Sequence, residues 1–154
     1  LERKHSLFKR WLDNQRPLTV TALAHTNKPA IYTQVDDEAT ILVQYPKAQG
    51  VIQASWNWPY SRKDFEVYAE RGYAIATGGN NLRVRVGDAK TEESRTPAEL
   101  KPDEADSISY LIGVARGKFK PAGLSSLENN VIVTEILDSA RESVRTGRAI
   151  TLPR

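Results

Sequence analysis

The stretch that decides the fold is residues 65–86, which read FEVYAERGYAIATGGNNLRVRV. Near its end, Leu82, Val84 and Val86 alternate with two arginines. An apolar–polar alternation with a period of two is typical of a β-strand that has one face in water. The link at Arg71-Gly72 is too short for a crossover helix, so the strands on either side of it are predicted to be antiparallel neighbours.

The same pattern recurs toward the amino terminus, where turn-rich links again separate short alternating segments. Together these segments predict a mainly antiparallel meander with one apolar face. The predicted strands are Leu18 to Ala24, Ala39 to Tyr45, Val51 to Trp56, Phe65 to Glu70, Tyr73 to Thr77 and Leu82 to Val86, with a short last strand near Ile150.

Helical periodicity follows the strands and is expected to cover the apolar face. Ile108, Leu111, Ile112 and Ala115 form one stripe. A second helix begins at a capping box, Ser125 to Glu128, and ends at Gly147. The apolar face of this second helix is predicted to comprise Val133, Ile136, Leu137, Ala140 and Val144. A short amphipathic helix is also predicted at Leu7, Phe8, Trp11 and Leu12, and residues 88–102 are predicted to form an exposed loop.

The fold class predicted from this order is α+β. It comprises an open, mostly antiparallel sheet of about six or more strands, with helices packed on one face and no Rossmann domain. A length of 154 residues suits one domain spanning 1–154. The sequence contains no methionine and begins Leu1-Glu2-Arg3-Lys4, from which we expect a fragment of a longer protein.

Composition argues against several functional classes. The net charge of +3 arises from 22 basic and 19 acidic residues mixed along the chain, which disfavours nucleic acid as a partner. No apolar run approaches the ~20 residues of a membrane span, so a membrane partner is not expected. The sequence has no cysteine and two separated histidines, so no metal site is predicted. The cytoplasm is the default compartment.

A dinucleotide site would need a glycine-rich turn between a strand and a helix. Here Gly78-Gly79-Asn80-Asn81 joins two strands instead, which favours a hairpin turn. We therefore predict no cofactor-binding and no catalytic residue in this chain. The acidic cluster from Asp36 to Glu38 could bind a cation or a sugar hydroxyl, but a solvated turn is the favoured interpretation.

Two groups of residues are candidates for a substrate site or an interface. The first is Trp56, Asn57, Trp58 and Tyr60, because aromatic rings beside an amide and a hydroxyl suit a sugar. Packing of the tryptophans at the core edge or in an interface is the favoured alternative.

The second group is Tyr68, Arg83 and Arg85, which share a strand face that could bind an anion or a partner. Ion pairs of the two arginines with Glu66 or Glu70 are the expected structural role.

The chain resembles the carboxy-terminal domain of the Gfo/Idh/MocA oxidoreductases, the glucose-fructose oxidoreductase type. Three stretches are similar: Val35 to Leu42 entering a strand, Gly50 to Trp58 as the next strand, and Leu127 to Pro153. The last stretch includes Ile136 to Arg141, Ser143 and Gly147-Arg148 before a closing Leu152-Pro153. The resemblance covers nearly the whole chain.

This resemblance implies a two-domain enzyme that oxidises or reduces sugars and polyols. NAD or NADP would be held by a separate nucleotide-binding domain, which also carries the catalytic Glu-Lys-Pro motif. The present domain would line the substrate site and form a homo-oligomer through its open sheet face. His5 lies near the position of a family histidine, but the neighbouring glycine-rich segment and Asp are absent, so no catalytic role is transferred to it.

Two other functions fit the same residues. A stand-alone binding or dimerisation module could pair the sheet face that bears Trp56, Tyr68, Arg83 and Arg85 with a second copy. A nucleic-acid platform using the same tyrosine and arginines is the least favoured alternative.

Overall fold

The computed structural model describes residues 15–78, 81–97, 100 and 106–153. These residues divide into two compact units. The first comprises the described residues up to 57 and from 121 onward, and the second comprises those from 58 to 120. The predicted helix at Leu7 to Leu12, with His5, lies outside the described residues.

The first unit contains a four-stranded antiparallel sheet. Its strands are β1 (Thr19–His25), β2 (Glu38–Gln44), β3 (Gln49–Ser55) and the short β8 (Ile150–Thr151), in the order β3-β2-β1-β8. The register pairs Ala22 with Ile41 and Ile41 with Ile52. Because neighbours in register point to the same side, these apolar side chains share one face of the sheet.

That face is covered by one long helix, α2 (Leu127–Thr146). The Ser126 hydroxyl accepts a hydrogen bond from the Asn129 N–H at 3.2 Å, so the helix begins one residue later than the predicted capping box. At the other end, Gly147 has φ = 66°, a left-handed conformation that costs glycine little. The helix ends there, as predicted.

The core of the first unit lies between α2 and the sheet. Ile132 and Ile136 are each 2% exposed, whereas Val144, which was predicted to face the core, is 40% exposed. The Ser143 hydroxyl, which is buried, instead accepts a hydrogen bond from the Ala22 N–H at 2.9 Å. The helix is therefore fixed to β1 by a hydrogen bond as well as by apolar packing.

The opposite side of this sheet is named here the outer face. Its central positions are half-buried or exposed and carry no charged side chain, while the row of His25, Glu38 and Ser55 at one end of this side contains a carboxylate. The outer face denotes only the uncharged rows. It comprises Thr19, Thr21 and Leu23 of β1, Thr40, Leu42 and Gln44 of β2, and Gln49, Val51 and Gln53 of β3.

The second unit contains another four-stranded antiparallel sheet. Its strands follow the chain order: β4 (Asp64–Ala69), β5 (Gly72–Thr77), β6 (Asn81–Val86) and β7 (Glu93–Arg95). At Gly72, φ is 147° and an added Cβ would lie 2.0 Å from the Arg85 carbonyl oxygen, so only glycine fits where β5 meets β6. The predicted α+β class and antiparallel strands are confirmed, and the strands are divided between two sheets.

Two details of the second unit differ from expectation. The predicted loop at residues 88–102 contains β7, which pairs with β6 through Arg83 and Ser94. Helix α1 (Ser107–Ala115) contains the predicted stripe, and Asp106 accepts hydrogen bonds from the Ile108 and Ser109 N–H groups, each at 2.9 Å. Its apolar stripe is exposed rather than buried, however. Among the described residues, α2 is therefore the helix whose apolar side chains cover a sheet.

Candidate functional site

One end of the first sheet is organised around a buried carboxylate. Asp37 is 2% exposed, and its two oxygens accept hydrogen bonds from the backbone N–H groups of Asn27 and Lys28, each at 2.8 Å. Its own carbonyl oxygen accepts from the Trp56 N–H at 2.8 Å. The predicted solvated turn is therefore wrong for Asp37, which connects the β1–β2 loop to the end of β3.

These contacts set the charge of Asp37. Burial acts to raise the pKa of its carboxyl, but hydrogen bonds from the Asn27 and Lys28 backbone and the nearby Asn57 amide outweigh burial and hold the pKa below its usual range. Among the described residues, the buried Asn57 amide has no hydrogen bond of normal geometry. Asp37 is ionised at neutral pH and is fully used in holding the loop.

The first candidate group starts beside this carboxylate. Trp56 is 63% exposed, and its ring lies 5.3 Å from that of Tyr32, measured between centroids. Ile31 and Val35 of the same loop are also exposed, at 69% and 52%. Trp56 therefore contributes to a solvent-facing aromatic and apolar patch instead of covering the core edge.

The rest of the first group belongs to the second unit. Trp58 is 37% exposed, and the Arg62 guanidinium carbon lies 5.9 Å from the centroid of its ring. Arg62 is also hydrogen-bonded to the carboxylate of Asp64. Tyr60 is 84% exposed. The sequence neighbours of this group are thus distributed over two units, with Trp56 and Asn57 in the first and Trp58 and Tyr60 in the second.

The second candidate group is brought together on one face of the second sheet. The strand register places Tyr68 opposite Tyr73, and Tyr73 opposite Arg85. The two tyrosine rings are 5.8 Å apart between centroids. We name this surface the tyrosine–arginine face. Its members are Glu66, Tyr68, Tyr73, Arg83, Arg85 and Glu92, and the buried Ile75 lies among them on the same side of the sheet.

Carboxylates hold both phenols of this face. The Tyr68 hydroxyl donates to Glu66 at 2.8 Å, and the Tyr73 hydroxyl donates to Glu92 at 3.1 Å. The hydrogen bond to Glu66 is the main reason that the pKa of Tyr68 is raised, so this phenol is neutral at physiological pH. The two rings are oriented before any ligand arrives.

The two arginines have different partners, and neither partner was predicted. Arg83 pairs with Glu92, with its Nη1 3.4 Å from Oε1, while the Arg85 Nε donates to the Ala89 carbonyl oxygen at 2.9 Å. The predicted pairs with Glu66 or Glu70 were wrong because the unpredicted strand β7 brings Glu92 to this face. Tyr73 could have been found from sequence, since the tight turn at Arg71-Gly72 fixes the register opposite Tyr68.

A groove of about 410 Å³ lies in the first unit between α2 and the sheet. Its floor is the cross-strand row of Ala24, Ala39 and Ala54, and Arg141 lies on its helical wall. The small alanine side chains of this row leave the space between helix and sheet open. The lining is mainly apolar and was not anticipated from the sequence.

The described residues contain neither a metal-binding cluster nor a membrane-spanning helix. No group of three or more His, Asp or Glu side chains among them is arranged to hold a metal ion. None of the described helices is both long and apolar enough to cross a membrane.

Comparison with known proteins finds a family model that matches part of this chain. Residues 8–75 match the family model of the GFO/IDH/MocA C-terminal domain. A comparison with curated proteins gives no match. The family match covers β1 to β4 and ends within β5.

Solved structures match nearly the whole chain. Aldose-aldose oxidoreductase from Caulobacter crescentus is 18% identical with a TM-score of 0.73, over 96% of this chain and 45% of its own. An NAD binding oxidoreductase from Klebsiella pneumoniae is 17% identical with a TM-score of 0.72, over 97% and 48%. An NAD-binding protein from Listeria innocua is 13% identical with a TM-score of 0.63, over 90% and 46%.

The chain therefore spans less than half the length of these proteins. At such identities the structures show a shared fold, and the family match supplies the sequence relationship. The resemblance predicted from sequence is confirmed: residues 8–75 are similar to the C-terminal domain of the Gfo/Idh/MocA oxidoreductases, and nearly the whole chain shares the fold of the oxidoreductase structures.

Proposed function

We propose that this chain is the substrate-binding and oligomerisation domain of an NAD(P)-dependent oxidoreductase acting on the CH–OH groups of a sugar or polyol. The names of the similar proteins, an aldose-aldose oxidoreductase and an NAD binding oxidoreductase, support this proposal. In the whole enzyme, a separate domain holds the nicotinamide and carries the acid–base residues. The chain alone, lacking a hydride carrier, has no redox activity.

The observation that carries the oligomerisation role is the composition of the outer face. Leu23, Leu42 and Val51 are 76%, 40% and 56% exposed there, and their neighbours are threonines and glutamines. Sheet faces that remain in water usually carry lysine and glutamate, whereas interface cores are depleted of charge. A two-fold axis would bury this face against its own copy, because an isologous contact needs only a self-complementary surface.

Light scattering on the purified chain tests this role. We expect a dimer, and we expect L42E combined with V51E to convert it to a monomer, since charges would be buried without partners. The matched control is L127E, a leucine on α2 that is 79% exposed, which should leave the mass unchanged. A wild-type chain that stays monomeric at high concentration contradicts the oligomerisation role.

The division of labour between domains has its own test. Titration of the isolated chain with NADH, followed by nicotinamide fluorescence, should give no saturable signal. A longer protein containing this chain should bind NADH and, when supplied with NAD⁺, should oxidise an aldose while the hydride reduces NAD⁺ to NADH. Micromolar NADH binding by the isolated chain would show that the proposed division is wrong.

The alternative function, a non-catalytic dimerisation module, is favoured by the same outer face. It predicts the same dimer but no nucleotide binding or turnover in any longer protein that contains the chain.

A further inference from the structure

The tyrosine–arginine face has the chemistry of a site for a charged sugar. We propose that it binds the ring of an acidic sugar, a uronic or aldonic acid, with the ring on the tyrosines and the carboxylate on Arg85. This inference rests on the proposed function and names its substrate class.

The tyrosines provide the surface for the ring. Their centroids are 5.8 Å apart and the rings are inclined by 42°, so the two rings are close enough for one sugar ring to contact both. Tyr68 is 67% exposed, and aromatic faces bind the C–H faces of sugars. Because Glu66 and Glu92 hold the phenol hydroxyls, little side-chain entropy is lost when a ring settles on them.

Arg85 provides the selectivity for an acid. Its hydrogen-bond partner is the Ala89 carbonyl, which is uncharged, and no carboxylate of the described residues forms an ion pair with it. Arg83 differs, because Glu92 already pairs with it. Arg85 lies directly across from Tyr73 in the ladder, within reach of a carboxylate attached to a ring that stacks there.

The two carboxylates distinguish a sugar acid from a simple anion. Glu66 and Glu92 each accept one phenol hydroxyl and keep lone pairs that can accept further donors. Sugar hydroxyls supply such donors. Fully ionised sulfate or phosphate has none, so no hydrogen bond to the two carboxylates offsets their repulsion of the anion. The face therefore favours a ligand with one carboxylate and several hydroxyls.

Isothermal titration of the full chain with glucuronate, glucose and sulfate tests this assignment. Glucuronate should bind about tenfold more tightly than glucose, because one charge-assisted hydrogen bond is added. Sulfate should bind more weakly than glucuronate. R85Q should reduce glucuronate binding to the level of glucose and leave glucose binding unchanged.

The matched control is R95Q. Arg95 lies on the same sheet opposite Leu82, on the other face, and is paired with Glu93 at 2.7 Å. This variant should bind glucuronate like the wild type. Y68S should weaken both sugars, since it removes the exposed stacking ring without touching Arg85.

The outcomes separate this inference from the proposed function. If both sugars bind equally and R85Q changes neither, the charge preference is overturned while a substrate-binding domain stands. If sulfate binds as well as glucuronate, or if Y68S and R85Q leave glucuronate binding intact, the site is not on this face. If no sugar binds, both the inference and the substrate-binding role fail, although dimerisation would remain.

Discussion

The two sheets have the same number of strands and the same antiparallel pairing, yet they are buried very differently. In the first sheet, Val20 is 0% and Val43 is 1% exposed. Apart from a glycine, Ile75 is the single buried apolar residue among the described residues of the second unit, at 9% exposed. Alternation along a strand thus produces an apolar face but does not determine whether anything covers it.

The helices account for the difference. Ile136 of α2 is 2% exposed, whereas Ile108 and Leu111 of α1 are 70% and 66% exposed. Both helices begin with a side-chain cap and carry an apolar stripe, so their local sequence signals are alike. Stability should therefore be concentrated in the first unit, and the second should depend more on hydrogen bonds and ion pairs.

The largest expected effect comes from removing packing between α2 and its sheet. I136A should destabilise the first unit by about 2–5 kcal/mol, because a fully buried side chain leaves a cavity. I108A, the matched change on α1, should cost less than about 1 kcal/mol. Hydrogen exchange resolved along the chain would measure both, and equal losses would remove the contrast between the two units.

A smaller loss is expected from the hydrogen bond that fixes α2 to β1. S143A should cost about 1–3 kcal/mol, since the buried Ala22 N–H loses its acceptor. Urea denaturation followed by far-ultraviolet circular dichroism would measure this. The control is S139A, a half-buried serine on the same helix, and a similar loss there would argue against a specific role for Ser143.

Acid should destabilise the first unit, because Asp37 loses its charge. In mildly acidic solution this loss of stability should be smaller than the loss caused by S143A. Its pKa is lowered in the folded protein, so its contribution is complete above the unfolded pKa, about 3.9, and is lost as the pH falls through the folded value. The stability difference between wild type and D37N should therefore shrink below about pH 4. The matched control is D36N, at an exposed neighbour, which should cost less stability than D37N at neutral pH. A pH-independent difference for D37N would contradict the assigned ionisation.

Local pattern predicted most elements but not their partners. Each of the six long strands was placed within two residues of its observed bounds, because alternation and turns are written in consecutive residues. The short strand β7 was missed, since Glu93, Ser94 and Arg95 have no apolar alternation and are ordered by pairing with β6. Periodicity also contains no information on which strands share a sheet, so the division into two sheets could not be predicted.

The candidate sites show the same limit. One predicted sheet face carried Trp56, Tyr68, Arg83 and Arg85. The register places Tyr68, Arg83 and Arg85 on one face of the second sheet, whereas Trp56 belongs to the first unit. Trp56 and Trp58 were grouped because they are close in sequence, but a unit boundary separates them. The role of Asp37 could not be predicted, since it depends on backbone N–H groups that the β1–β2 loop turns toward it.

The smallest expected effect concerns the ion pair on the tyrosine–arginine face. E92Q should cost no more than about 1 kcal/mol, because Glu92 and Arg83 are both partly exposed, and the cost should fall as salt is added. E93Q, at the more exposed pair with Arg95, should cost less still, since Glu93 holds no tyrosine. Urea denaturation at low and high salt would compare the two variants. If E92Q instead lowered the free energy of unfolding as much as S143A does, with no dependence on salt, the second sheet would be stabilised mainly by its polar face. The two sheets would then differ in the kind of interaction that stabilises them rather than in their stability.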